Sequence, residues 1–324
     1  MPQQAEDDRW LAATAALAER ARPLASPNPG VAALIARDGR VAGRGWTMPG
    51  GRPHAEAVAL DAAGEAARGA TLYVTLEPCA HRSHRGPACA DLATDAGLAR
   101  AVIGMRDPDE RTAGEGIARL ENAGVAVTVM NWSAAKLGLS GHASRPTNNR
   151  PHVTLKLAMS LDGCIATSTG ESQWITGKAA RAHTHRQRAR ADAILVGGGT
   201  LRSDNPRLDV RLPGLEARSP KRIALTSGDV PAGWQAIRSP DEIARLDGVR
   251  YLMVEGGAQT ASAFLAARLV DRLLIYRAPV LLGGGTPAIG TIGNDTLDVA
   301  FAHGWELQTR RQLGSDTLEV YQRG

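Results

Sequence analysis

Strand and helix patterns alternate in two separate runs along this chain, and that alternation predicts an α/β protein of two domains. Three observations carry the prediction. The chain has 324 residues, more than one ordinary domain holds. In both halves short β-branched or apolar segments alternate with helical ones, the pattern of a sheet covered by helices. Between the runs, residues 141–151 (GHASRPTNNRP) turn polar and carry two prolines. Such a stretch reads as a linker, which places the boundary near residue 148 and gives domains 1–147 and 148–324.

Residues 8–20 (DRWLAATAALAER) carry apolar side chains at helical spacing. A proline-rich loop over 23–30 follows, then residues 31–36 and 41–45 read as a hairpin turning at Asp38 and Gly39. Alanine density predicts a helix over 56–67, because alanine loses least on entering one. Residues 71–76 (TLYVTL) are β-branched and aromatic, hence a strand. A helix over 89–96, a strand over 101–105, a helix over 116–123 and a strand over 125–129 continue the alternation. The second run opens with a strand over 153–157 and a helix over 178–189 rich in Arg and His. A strand over 193–196 runs into Gly197, Gly198, Gly199 and Thr200, and one over 251–254 runs into Glu255, Gly256 and Gly257. A helix over 260–267, a strand over 272–276 and a closing pair near 305–309 and 317–322 complete the chain.

Composition excludes several function classes. At 43% hydrophobic and 22% charged the chain is globular, and no apolar run approaches the roughly 20 residues of a membrane span. The acidic start lacks the basic and apolar regions of a secretory signal. Net charge is +5, but residues 1–150 hold 17 Lys and Arg against 16 Asp and Glu, so no basic footprint forms there. Aromatics are 4% of the chain, a poor supply for stacking bases, so no nucleic-acid partner is expected. Three cysteines, Cys79, Cys89 and Cys164, are too few for a disulfide framework and suit a reducing cytoplasm.

The sharpest chemical signal is His54 with Glu56, then Cys79 after a proline, then Cys89. One imidazole and two thiolates give a tetrahedral zinc three protein ligands and leave a fourth position for water. Glu56, two residues past the histidine at a helix start, is placed to exchange protons with that water. Cys89 opens a helix, whose free N–H groups favour a thiolate. Singly, each residue fits an ordinary structural role. In this order the set matches the H-x-E and P-C elements of zinc nucleobase deaminases, with nine residues between the cysteines in place of two.

The second half is less explicit. Its glycine runs either bring backbone towards a phosphate at helix N-termini or make ordinary tight turns. No G-x-G-x-x-G follows the first strand. Lys156, Arg188, Asp204 and Arg211 supply charge that an anionic sugar phosphate could use.

These residues carry a resemblance. SPNPG from Ser26, His54 with Glu56, GATLYVTLEPC ending at Cys79, and Asp107-Pro108 resemble the deaminase half of the bifunctional riboflavin-biosynthesis deaminase–reductase family. PHVTLKLAMSLDG from Pro151, GESQWITG from Gly170, DAILVG from Asp192, Thr200 through Asp204-Asn205-Pro206, and Val254 to Gly257 resemble its reductase half. The match spans roughly residues 7–322. It implies a cytidine-deaminase-like three-layer α/β/α domain followed by a dihydrofolate-reductase-like α/β domain. It implies zinc on His54, Cys79 and Cys89, Glu56 as proton shuttle, and Asn28 near substrate. On the reductase side it implies NADPH as hydride donor, with Lys156 and Asp204 near the carbon that receives hydride. Ser172, Arg188, Leu208, Arg211 and Glu255 match substrate-side positions, the two arginines as the phosphate grip. Ala158, Trp174, Thr200, Asp204 and the turn of Gly257, Ala258, Gln259, Thr260, Ala261, Ser262 and Ala263 match cofactor-side positions. The implied reactions deaminate a diaminopyrimidinone ribosylamino phosphate and then reduce its ribosyl group to ribityl. The expected partner is that small phosphorylated pyrimidine, in a cytoplasmic homo-oligomer, dimer or tetramer.

The chain departs from the family pattern in places. Thr47 stands where a histidine is usual, Asp109 replaces an asparagine, and the loop over 80–88 differs and is one residue longer. In that loop His81 and His84 either touch substrate phosphate or are solvated. Residues 221–250 are short by part of a strand and helix at the adenosine end of the cofactor. These departures keep other readings open: one active half only, a nucleobase deaminase with a binding module, or a non-catalytic zinc scaffold. Glu56 argues against the last, since a structural zinc needs no carboxylate beside it.

Overall fold

The computed structural model describes residues 2–81, 86–110 and 112–324. The chain divides into two compact units, Met1–Asn148 and Asn149–Gly324.

The first unit runs α1 (Pro2–Ala18), β1 (Ala32–Arg37), β2 (Arg40–Trp46), α2 (Ala55–Ala63), β3 (Thr71–Val74), α3 (Cys89–Asp95), β4 (Arg100–Ile103), α4 (Glu115–Asn122), β5 (Ala126–Val129), α5 (Ser133–Gly138) and α6 (Ser140–Asn148). The five strands lie in the order β2-β1-β3-β4-β5. β1 is antiparallel to β2 and β3, while β3, β4 and β5 are parallel. Alternation along β1 divides the layers. Ala33 and Ile35 pack into one core with Ala55 and Ala59 of α2, Ala90 of α3 and Leu120 of α4. Leu34 and Ala36 pack against Leu11 of α1 in another. This is the three-layer α/β/α arrangement. α1 is pinned by a buried carboxylate: Asp7 takes two 2.7 Å bonds from Arg100 and one from the Tyr73 hydroxyl at 3.1 Å.

Small residues set how closely α2 approaches the sheet. A Cβ on Gly43 would fall 2.2 Å from the Ala59 carbonyl oxygen, and one on Gly45 2.4 Å from that of Ala55. Glycine at alternate positions of β2 and alanine on α2 therefore let helix backbone rest on strand backbone. That contact fixes the N-terminus of α2.

The second unit runs β6 (His152–Met159), β7 (Cys164–Ala166), α7 (Lys178–Arg188), β8 (Ala193–Gly197), α8 (Gly198–Asp204), β9 (Lys221–Leu225), β10 (Trp234–Ile237), β11 (Tyr251–Val254), α9 (Ala258–Ala266), β12 (Arg272–Arg277), β13 (Thr286–Pro287), α10 (Leu297–Phe301), β14 (Trp305–Leu313) and β15 (Asp316–Arg323). Eight strands form one sheet in the order β10-β9-β8-β11-β6-β12-β15-β14. The first six are parallel, and β15 and β14 close the sheet antiparallel. β8 and β11 are buried at every position, as parallel strands covered on both faces must be. The chain enters at β6, moves outward through β8, β9 and β10, then returns with β11 between β8 and β6. Such a reversal leaves a crevice at the strands' carboxyl ends, where ligands of α/β sheets bind.

Three elements differ from the sequence expectation. The polar stretch read as a linker is largely helix α6, because Gly141 and Ser144, three residues apart, are both buried and packing outweighs polarity there. The helix expected over 56–67 stops at Gly64, where φ is +51°, and continues as a tighter turn over Gly64–Ala67. The shortened region over 221–250 holds two strands, β9 and β10, and one 3₁₀ turn over Pro240–Arg245. Cys164, which lies outside every motif and reads from sequence as a small packing residue, sits buried in β7.

Candidate active sites

In the first unit two helix N-termini and one strand end meet. His54 is the N-cap of α2, Cys89 is the first residue of α3, and Cys79 follows β3. The donor atoms of all three lie within 4.8 Å of one another. His54 Nδ1 is 3.6 Å from Cys79 Sγ and 3.4 Å from Cys89 Sγ, and the Cys89 backbone N–H donates to Cys79 Sγ at 3.4 Å. A nitrogen and two sulfurs at this spacing are the donor set zinc takes. The neighbouring Cys89 and His54 lower the Cys79 thiol to about 4, while Cys79 and burial raise that of Cys89.

Glu56 lies in the first turn of α2, 3% exposed, and its Oε2 has no hydrogen-bond partner among the described residues. Burial raises its carboxyl to about 7, against the opposing charge of His54. A buried carboxylate oxygen without a partner is costly, and this one lies beside the sulfur–nitrogen cluster. Asn28 Nδ2 donates to the Gly51 carbonyl at 3.1 Å and lies 3.1 Å from His54 Nε2, on the ring edge away from the cysteines. Gly51 has φ +85°, and a Cβ there would fall 2.6 Å from Asn28 Cγ, so glycine is needed to admit this side chain.

Thr47 is buried, and its hydroxyl closes on the Val31 backbone, accepting from N at 3.1 Å and reaching O at 3.4 Å. It therefore works in the strand end. His81 is exposed, and His84 lies outside the described residues. Asp109 donates its backbone N–H to Asp107 Oδ1 at 3.0 Å. His142 and the hydrogen bonds to Asp107 hold that carboxyl below its usual range despite burial. Sequence reasoning missed Glu77. Its buried carboxylate accepts four backbone N–H groups, of Asp107, Gly114, Gly116 and Ile117, at 3.0–3.2 Å, and so locks the loop after β4 and the start of α4 beside Cys79.

In the second unit, three predicted residues form one partly buried ion cluster. Arg188, at the end of α7, is bidentate on Glu255 at 2.7 and 2.8 Å, and Lys156 of β6 lies 3.8 Å from Glu255 Oε2. Burial would raise the Glu255 carboxyl, but Arg188 and Lys156 outweigh it and hold it low. Burial pulls the Lys156 ammonium below the ordinary lysine value, against the pull of Glu255. Arg188 is thus committed to Glu255, and its third nitrogen donates to the Asp209 carbonyl at 3.1 Å. Arg211 is half-exposed at 50% and forms a looser 3.7 Å pair with Asp209. Leu208 is buried with φ +53°.

The remaining predicted residues are spread around the cluster. Ala158 lies on β6 and Thr200 on α8, both partly buried. Asp204 ends α8 exposed, accepting from Ser203 Oγ at 2.7 Å, apart from the ion cluster. Ser172 and Trp174 are exposed, and Arg181 lies over the Trp174 ring at 4.7 Å. The run from Gly257 to Ala263 is the start of helix α9 instead of a turn. Ala261 is fully buried, and Ser262 is tied to Ala258 O and Gly290 N. A Cβ on Gly197 would fall 2.2 Å from Thr260 Oγ1, and one on Gly256 2.5 Å from Thr260 Cβ. These two glycines let α9 close onto the strand ends.

Known proteins share both units. Residues 4–105 match the cytidine and deoxycytidylate deaminase zinc-binding region, and residues 151–245 and 237–318 match the RibD C-terminal domain. The riboflavin biosynthesis protein RibD of Escherichia coli is 36% identical over 337 residues, covering 89% of this chain and 91% of its own. That of Mycobacterium tuberculosis H37Rv is 38% identical, covering 90% of each chain. Among solved structures, Acinetobacter baumannii RibD superposes with a TM-score of 0.83 at 31% identity over 99% of each chain. A diaminohydroxyphosphoribosylaminopyrimidine deaminase/5-amino-6-(5-phosphoribosylamino)uracil reductase from Thermotoga maritima gives 0.85 at 28% identity, over 99% of this chain and 100% of its own. With a zinc-type donor cluster in one unit, a partly buried ion cluster in the other and relatives that span both, the chain belongs to the RibD family of bifunctional deaminase–reductases of riboflavin biosynthesis.

Proposed function

We propose that residues 1–147 deaminate 2,5-diamino-6-(5-phosphoribosylamino)pyrimidin-4(3H)-one and that residues 148–324 reduce the resulting 5-amino-6-(5-phosphoribosylamino)uracil with NADPH. The observation that carries the first step is the buried Glu56, its Oε2 without a partner among the described residues, beside the His54, Cys79 and Cys89 donor set. His54, Cys79 and Cys89 would hold zinc, whose Lewis acidity would bring the pKa of water towards neutrality. Glu56 takes a proton from the attacking water and returns one to the leaving nitrogen, so the carbon–nitrogen bond breaks and ammonia departs. Asn28 braces the His54 ring and faces the substrate.

For the second step, NADPH bound at the strand ends would be the source of the hydride that the anomeric carbon receives. The ring carbon–oxygen bond breaks, its electron pair stays on oxygen, and that oxygen takes a proton. Lys156, partly buried and held by Glu255, is placed to give that proton. Asp204 lies near the same carbon on this reading. The first turns of α8 and α9 approach the cofactor through backbone, since Ala261 and Ser262 are occupied by packing. With Arg188 committed to Glu255, the phosphate falls to Arg211.

Among the described residues no helix is long and apolar enough to cross a membrane, and all three cysteines are free. Reduced thiols support a cytoplasmic setting, and the small phosphorylated pyrimidine is the partner we assign, in a homo-oligomer and without nucleic acid. Glu56→Gln tests the first step: ammonia release should fall about a thousandfold while about one zinc stays bound. Loss of zinc in that variant refutes the assigned role. Asp204→Ala should impair NADPH oxidation with deaminated substrate, and unchanged turnover removes Asp204 from the site.

A further inference from the structure

The phosphate end of the reductase site contains an imidazole with no part in the scheme above. His185 sits on α7 three residues before Arg188 and is partly buried. Its Nδ1 accepts the Arg211 backbone N–H at 3.2 Å and stands 3.2 Å from the Asp209 carbonyl oxygen. Arg188 donates to that same carbonyl at 3.1 Å. Two side chains of α7 therefore grip the loop at both of its free backbone groups, one through the N–H of residue 211 and one through the C=O of residue 209. Within the loop, Asp209 pairs with Arg207 at 2.7 Å and with Arg211 at 3.7 Å.

The charged groups facing the ring are Arg188 on its own helix, Arg211 on the loop, and Glu255 after β11. Burial first, then the two arginines, hold His185 below the ordinary histidine value. The ring is neutral near neutral pH, and the nitrogen that faces a backbone N–H must be the unprotonated one.

We propose that His185 is a positioning residue for the substrate's phosphate: by accepting the Arg211 N–H it fixes the loop that presents the Arg211 guanidinium. This rests on the reading of Arg211 as the phosphate grip. An arginine on a loose loop must be ordered when phosphate arrives, and that cost subtracts from affinity. A loop already stitched to α7 has met most of it.

Steady-state NADPH oxidation with the phosphoribosylaminouracil and with its dephosphorylated form separates the possibilities. His185→Ala should raise KM about tenfold for the phosphorylated substrate, with kcat little changed and no effect on the dephosphorylated one. His185→Asn places Oδ1 where Nδ1 stood and should return KM to within about twofold of the parent. Should His185→Ala be unfolded at the assay temperature, His185→Leu carries the same expectation. Equal effects on both substrates, a loss in kcat alone, or no rescue by asparagine overturns the proposal. Arg211→Ala is the control. If it leaves KM for the phosphorylated substrate unchanged, the phosphate reading itself fails; if it raises KM and His185→Ala does not, only the role of His185 fails.

Discussion

The Glu255 carboxylate is 8% exposed and compensates two partly buried cations, Arg188 and Lys156. Glu255→Gln would leave both cations without their counter-charge. Breaking a buried pair in this way costs about 3–5 kcal/mol, so the variant should melt well below the parent and lose hydride transfer, read by calorimetry and NADPH oxidation. A fully stable variant would mean that water reaches the cluster. The residue scale is also where sequence reads least. His54, Glu56 and Cys79 announce themselves by local spacing. Glu77 does not, because its four partners lie 30–40 residues away and are backbone groups. The commitment of Arg188 to Glu255, 67 residues apart, was equally invisible, so sequence could not say which arginine stays available to phosphate.

At the scale of elements, close packing positions chemistry. β2 offers Gly43 and Gly45 to α2, and α2 carries His54 at its cap and Glu56 in its first turn. Gly45→Ala should cost about 1–3 kcal/mol and weaken zinc binding, while NADPH oxidation on deaminated substrate is unchanged. Equilibrium dialysis of zinc reads the first effect. α7 depends on protonation in a comparable way. His183, 3% exposed, meets the Tyr276 hydroxyl at 2.7 Å and Arg311 at 2.7 Å. Burial, then the charges of Arg311, Arg186, Arg190 and Arg272, lower it to about 4. A histidine depressed in the folded state binds its proton more readily when unfolded. Its contribution is therefore full above the unfolded value of about 6.5 and is lost as pH falls towards about 4. Denaturant melts should show acid destabilisation of order 3 kcal/mol across that window, reduced in His183→Gln. β1 and β11 were legible as short continuous apolar runs, because both are covered on two faces. α6 was not, since its buried residues are glycine and serine, which carry no hydrophobic signal. β9 opens on Lys221 and Arg222, and β10 carries Gln235 in its middle, so neither makes a continuous apolar run.

On the scale of the whole molecule, each unit holds the groups for one chemistry. The zinc donors all fall within Met1–Asn148, and the Lys156, Arg188 and Glu255 cluster falls within Asn149–Gly324. Stripping zinc with a chelator should abolish ammonia release yet leave NADPH oxidation on deaminated substrate intact, and zinc should restore the first activity. The two-domain α/β plan was legible from length and alternation alone. Between Lys221 and Tyr251 the chain holds two brief strands and one 3₁₀ turn. The most direct test of the two-step account gives the protein 2,5-diamino-6-(5-phosphoribosylamino)pyrimidin-4(3H)-one with and without NADPH and identifies the products. Ammonia and the phosphoribosylaminouracil should form without NADPH, and the ribityl product should follow only when it is added. Ammonia with no ribityl product in the presence of NADPH would contradict the account.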